Sequence, residues 1–166
     1  MNRGERNNNP LNIRHSADQW QGAAEEQTDK SFVKFTTMAY GYRAAWKVLQ
    51  SYYNHFMQEG KHYTVRNIIY RWAPPSDNNA TEAYIRKVLQ LSGIGGNENL
   101  LPPSNVTSYG RLSKMVAAMT CIECGIPLSK VDDEAICNGY RLAFPENKTQ
   151  LNEWLREEDE YCDWYI

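Results

Sequence analysis

The sequence predicts a mainly α protein with at most one small β element. Three observations lead there. Apolar residues recur at spacings of three and four along several segments. Gly and Pro punctuate those segments. Only "FVKF" at 32–35 alternates as a strand does. With 166 residues the chain can bury a core as one domain. Residues 1–37 read as a polar, irregular, motif-bearing segment and 38–166 as a helical body.

The elements follow in order. Thr36 and Thr37 can cap a long helix over 38–59, whose stripe is Tyr42, Ala45, Trp46, Leu49, Tyr52, Tyr53 and Phe56. Gly60 stops it. Thr64 caps a short helix bearing Val65, Ile68, Ile69 and Trp72. Ala73-Pro74-Pro75 ends it, because proline disfavours helix in the residue before it. The turn "SDNNAT" leads to a third helix over 80–91. Residues 92–104, "SGIGGNENLLPPS", form a long loop. A fourth helix covers 108–124. Ser129 is placed as the N-cap of a fifth, with Asp132 and Asp133 in its first turn. A sixth, at 149–158, precedes an aromatic tail, "YCDWYI".

Composition narrows the function classes. Net charge is −2, so no global basic field points to nucleic acid. No stretch approaches the ~18 apolar residues of a membrane span. The polar N-terminus has no apolar core of a signal peptide. The expectation is a chain cytoplasmic as synthesised, reaching a virion or the cell wall by a separate route. The 5 Trp and 11 Tyr suit either a core or the stacking of sugar faces. Cys121 and Cys124 form a C-x-x-C, while Cys137 and Cys162 stand alone. A zinc site needs a second ligand pair, and His15, His55 and His62 supply none. A redox C-x-x-C opens a helix, whereas this one closes a helix. No metal and no cofactor is expected, and the thiols read as reduced and partly buried.

One carboxylate sits in an unusual place. Glu123 follows Met119 by four residues and Val116 by seven, which sets it on or beside the apolar stripe of the fourth helix. It also lies in the last turn, before Gly125. Desolvation and the negative end of the helix dipole both raise a carboxyl pKa there. A carboxyl protonated near neutral pH is what a glycosidic general acid needs. The alternative is a rim residue paired with Lys or Arg. Glu5, between Arg3 and Arg6, suits a nucleophile or charge stabiliser, because neighbouring cations favour a carboxylate; a solvated terminal residue is the other reading. Glu25, Glu26 and Asp29 read as an acidic surface patch.

The opening "GERNNNPLNIR", Gly4 to Arg14, resembles a group of small phage-borne proteins. Their pattern runs on through Trp20-Gln21-Gly22, Phe32 to Phe35, Gly41-Tyr42-Arg43-Ala44 and Trp72-Ala73-Pro74-Pro75. It departs at "SDNNATEAY", where Asp77 replaces Glu and the spacing from Asn78 to Thr81 is one residue longer. The resemblance covers about residues 3–127. It implies a lysozyme-like fold, and proteins of the group are labelled virion structural proteins or peptidoglycan hydrolases. In lysozyme-like hydrolases the catalytic Glu closes a helix and an Asn/Pro-rich stretch follows. Here the order is reversed, which suggests a circular permutation bringing Glu123 beside Asn7, Asn8 and Asn9.

The implied activity is cleavage of the glycan strand of peptidoglycan, of lysozyme or lytic transglycosylase type. Glu123 would be the acid; either there is no second carboxylate and the substrate's own acetamido or hydroxyl group closes the ring, as in lytic transglycosylases, or Glu5 or Asp77 serves as base or stabiliser. The implied contacts to peptidoglycan, or another N-acetylated glycan, are Asn7, Asn8, Asn9, Asn12, Arg14, Trp20, Tyr40, Trp72, Asp77 and Asn78. Tyr42 is a further stacking candidate, and it and Trp72 fit the core equally well. The asparagines have a competing use, bracing their own backbone. The alternative function is a non-catalytic phage structural or cell-wall-binding protein, meeting other virion proteins.

Overall fold

The computed structural model describes residues 1–164, with side-chain surroundings through residue 159. The aromatic tail from Tyr161, with Cys162, lies outside the described side chains. The helices are α1 (Arg3–Arg6), α2 (Met38–Glu59), α3 (Val65–Trp72), α4 (Thr81–Ser92), α5 (Tyr109–Cys124), α6 (Asp133–Ala143) and α7 (Lys148–Trp164). The fold is mainly α, as the periodicity predicts.

Most boundaries follow the local chemistry. The Thr37 hydroxyl accepts the Tyr40 N–H, and Gly60 closes α2 in the left-handed region with φ 69°. Thr64 caps α3 through the Asn67 N–H. Gly125 closes α5 with φ 66°.

Three expectations are corrected. Asp132, not Ser129, caps α6, because its carboxylate accepts the Ala135 N–H; residues 128–130 form a separate 3-10 turn. The segment 3–6 is a short helix held by a capping box between Asn2 and Glu5. "FVKF" makes only isolated antiparallel bridges, Phe32 with Arg14 and Phe35 with Ala23, so no named strand forms among the described residues.

α5 is the central helix. Leu112, Met115, Val116, Ala118 and Met119 are fully buried, and Ala117, Thr120 and Cys121 nearly so. From Met115 to Cys121 every residue is buried, and a stretch buried on all sides belongs in the middle of a fold. α4 and α6 pack against it, and α2 lies along α6. Gly139 permits that last approach: a Cβ there would meet Ala39 O at 2.8 Å and the Arg43 nitrogen at 2.9 Å.

Much of the aromatic surplus is core. Trp46, Tyr109 and Tyr140 form a cluster in which Tyr140 meets both others edge-on, Trp46 at 5.2 Å and 88° and Tyr109 at 5.0 Å and 67°. Three of the polar tips are satisfied by backbone carbonyls. Trp46 Nε1 donates to Ile136 O at 3.1 Å, Tyr63 to Leu49 O at 2.9 Å and Tyr140 to Pro103 O at 2.6 Å. Tyr42 is buried and shares a 2.9 Å hydrogen bond with Thr120, so it is a core residue and not a stacking face.

Candidate active site

The N-terminal segment is wound tightly by its own asparagines. Asn9 is completely buried. Its Nδ2 donates to Ile13 O at 2.9 Å and Val33 O at 2.8 Å, and its Oδ1 accepts the Ile13 N–H at 2.8 Å. Asn8 Nδ2 donates to Phe35 O at 3.1 Å, from a left-handed backbone with φ 49°. Asn7 Nδ2 donates to Asp29 Oδ2 at 3.0 Å. The three amides brace the turn and do not face a groove.

Asp29 is the hub of this segment and not part of a solvated acidic patch. It accepts both Arg3 guanidinium N–H groups at 2.6 and 2.7 Å, and the Ser31 and Phe32 N–H groups at 2.9 and 3.0 Å. Arg3 above all, then Asn7 and the two backbone N–H groups, holds its carboxyl far below the usual carboxylate range. The Arg3 guanidinium also lies 4.4 Å over the Phe32 ring, with Arg14 over the same ring at 5.3 Å.

So braced, the segment docks on the end of α5. Cys124 Sγ donates to Pro10 O at 3.3 Å. Asn12, left-handed with φ 54°, donates from Nδ2 to Glu123 O at 3.3 Å, one of the carbonyls a helix end leaves without an internal partner. The Glu-ending helix and the Asn-rich segment are therefore neighbours in space.

A cleft of about 250 Å³ opens at this junction. Asn12, Arg14 and Phe32 of the N-terminal segment contribute to its lining. Tyr52 and Val48 of α2 and Trp72 of α3 give an apolar wall, with Tyr52 and Trp72 edge-on at 6.2 Å. Asp77, Asn79 and Glu123 complete the lining. Glu123 is partly buried, and burial pushes its carboxyl up to about 7. Asn12, Arg14 and Tyr84 each pull in the other direction and do not overcome it. At neutral pH a large fraction of Glu123 therefore carries a proton.

Of the residues singled out from the sequence, Asn12, Arg14, Trp72, Asp77 and Glu123 meet at the cleft. Asn7, Asn8, Asn9, Trp20, Tyr40, Asn78 and Glu5 are not in its lining. Trp20 and Tyr40 pack against the core. Asn78 closes a 3-10 turn with φ 66°. Glu5 Oε2 accepts the Asn2 N–H at 3.1 Å, so its carboxylate belongs to the cap of α1. Sequence reasoning missed Tyr52, Phe32 and Asn79. The first two read as core in any pattern, and Asn79 is one step from the residue chosen.

Cys121, Cys124 and Cys137 are buried free thiols. Burial pushes Cys124 up to about 11 and also raises Cys121, so neither is poised as a thiolate.

No protein-family model matches the chain. It is 41% identical over 101 residues to the protein P5 of Pseudoalteromonas phage PM2. That alignment covers 59% of this chain and 60% of the phage protein. The chain is thus similar to a phage protein, while spanning well under the whole of it. No described helix is long and apolar enough to cross a membrane.

Proposed function

We propose that this phage-type chain acts on the glycan strand of peptidoglycan, as a lysozyme or lytic transglycosylase does. One observation carries the reading: Glu123 is a half-buried carboxyl with a pKa of about 7, lining a cleft walled by aromatic rings. That is the state a general acid needs at neutral pH.

In this mechanism the Glu123 proton passes to the glycosidic oxygen as its bond to the anomeric carbon breaks. The departing sugar leaves as an alcohol, and Glu123 is left ionised. Tyr52 and Trp72 offer apolar faces to sugar rings. Arg14 and Asn79 offer hydrogen-bond donors. Asp77 is the second carboxylate in the same cleft, available as base or charge stabiliser. In the transglycosylase variant, a hydroxyl of the substrate itself attacks the anomeric carbon, its proton goes to a base, and no water is consumed. A permuted lysozyme-like arrangement is the fold counterpart of this reading, supported by Asn12 resting on the last turn of α5.

A second reading is a phage structural or cell-wall-binding protein that keeps the cleft without turnover and meets other virion proteins. What favours it is that the amides of Asn7, Asn8 and Asn9 and the carboxylate of Glu5 are spent on bracing the chain.

The test is digestion of purified peptidoglycan by wild type and Glu123→Gln, with soluble products identified by mass spectrometry. The expected result is muropeptides from wild type and none from the variant. Anhydro ends identify a transglycosylase and reducing ends a hydrolase. No product from wild type, with the protein sedimenting with the sacculi, turns the assignment to the binding role.

A further inference from the structure

α4 lies along α5 and brings its own first turn to the last turn of α5. That turn carries Tyr84. Its ring packs on the core, and its hydroxyl is buried with no partner at hydrogen-bonding geometry. A buried hydroxyl left unpaired costs roughly 1–3 kcal/mol, so the position calls for an acceptor. The charge that acts most on that phenol is the Glu123 carboxylate. Burial and the Glu123 charge together push the phenol well above its ordinary range.

We propose that Tyr84 is a positioning residue for Glu123, its O–H donating to the side-chain carboxyl and doing so more strongly once Glu123 is ionised. This deepens the glycan-cleaving reading by naming what orients its acid, and only its catalytic consequence rests on that reading. A hydrogen bond stronger to the charged form favours that form. Tyr84 therefore holds Glu123 near neutrality against the burial that would raise it further. It also fixes the carboxyl at the moment the proton has left, when a loose carboxylate would turn towards solvent or Arg14.

Other groups around Glu123 are accounted for. Arg14 of the N-terminal segment favours the carboxylate, and Asn12 does so as a neutral donor. Asp77 lines the same cleft. Cys124, the next residue of α5, is a neutral thiol, and Glu5 of α1 acts on Cys124. Lys87 of α4 acts on Cys121, one turn away. Among these groups Tyr84 is the phenol whose hydroxyl has no other partner.

The experiment follows the Glu123 side-chain carboxyl by carbon-13 NMR from pH 4 to 9, assigned by its loss in Glu123→Gln. Tyr84→Phe is expected to raise the midpoint by about one pH unit, the effect of one hydrogen bond to a carboxylate. A tyrosine that merely fills space leaves the midpoint unchanged, and an unchanged or lowered midpoint overturns the proposal. A second readout needs no Tyr84 variant. In wild type the Tyr84 Cζ resonance should titrate with the Glu123 midpoint, and in Glu123→Gln it should be flat. A flat resonance in wild type also overturns the proposal. Neither readout depends on turnover. A shifted midpoint with no muropeptides sinks the enzyme reading and leaves the pair. Muropeptides with an unmoved midpoint do the reverse.

Discussion

Replacing Glu123 with glutamine removes one titrating proton from a buried place and changes little else. In the folded chain burial pushes the carboxyl up to about 7 from its ordinary value of 4.5. Below pH 4.5 both folded and unfolded chains carry the proton, and folding bears no charge penalty. Between 4.5 and 7 the folded chain holds a proton that the unfolded chain has released, so stability falls as pH rises. Above 7 both states are ionised and the full penalty is present. The difference between the two midpoints corresponds to roughly 3 kcal/mol. Glutamine has nearly the same shape and is neutral throughout, so the variant escapes this loss. The assay is urea unfolding of both proteins at pH 4, 6 and 8. The two should match closely at pH 4, and by pH 8 the variant should lead by roughly 3 kcal/mol, a midpoint difference on the order of 1.5 M urea. A stability difference constant from pH 4 to 8 refutes the claim that Glu123 is desolvated by the fold.

Asn9→Ala removes two donors and an acceptor from a fully buried amide and leaves Ile13 N–H without its partner. A loss of about 3 kcal/mol in urea unfolding is expected, with faster amide exchange across residues 9–14; a loss under about 1 kcal/mol would show that the segment does not depend on this side chain. Asp29 behaves in the opposite sense to Glu123. Its folded carboxyl is held low by Arg3, so its contribution is complete above the unfolded midpoint and fades as pH falls through the folded one. Asp29→Asn should therefore be less stable than wild type at pH 6, with the gap narrowing below pH 4; a gap that is unchanged or widens in acid contradicts the ion pair.

The helical body was legible because its signals are local. Thr37, Gly60, Thr64 and Gly125 each sit within a turn of the boundary they set. Ser129 misled because Asp132 offers the same capping chemistry three residues later, and the 3-10 turn between them leaves no trace in the hydrophobic pattern. Glu123 was legible for the same local reason, a carboxylate where a 3.6-residue period calls for an apolar side chain. Its partners were not. Asn7, Asn8 and Asn9 are consecutive, yet their amides go to Asp29, Phe35 and the Ile13–Val33 pair. Only the fold decides which of four neighbouring asparagines reaches the cleft, and Asn12 does. Tyr84 reads as one more apolar residue of α4 until α5 is laid beside it.

The contacts that close the cleft join distant parts of the chain. Asn12 meets a residue 111 positions away, and Cys124 meets Pro10 across 114. A ribosome makes residues 7–14 first and Glu123 more than a hundred residues later, on the order of ten seconds at typical rates. During that interval the N-terminal turn can form its own hydrogen bonds but has no α5 to rest on. The cleft is thus withheld from every nascent chain that has not yet reached the end of α5, and it exists only in a chain that has passed that point of synthesis.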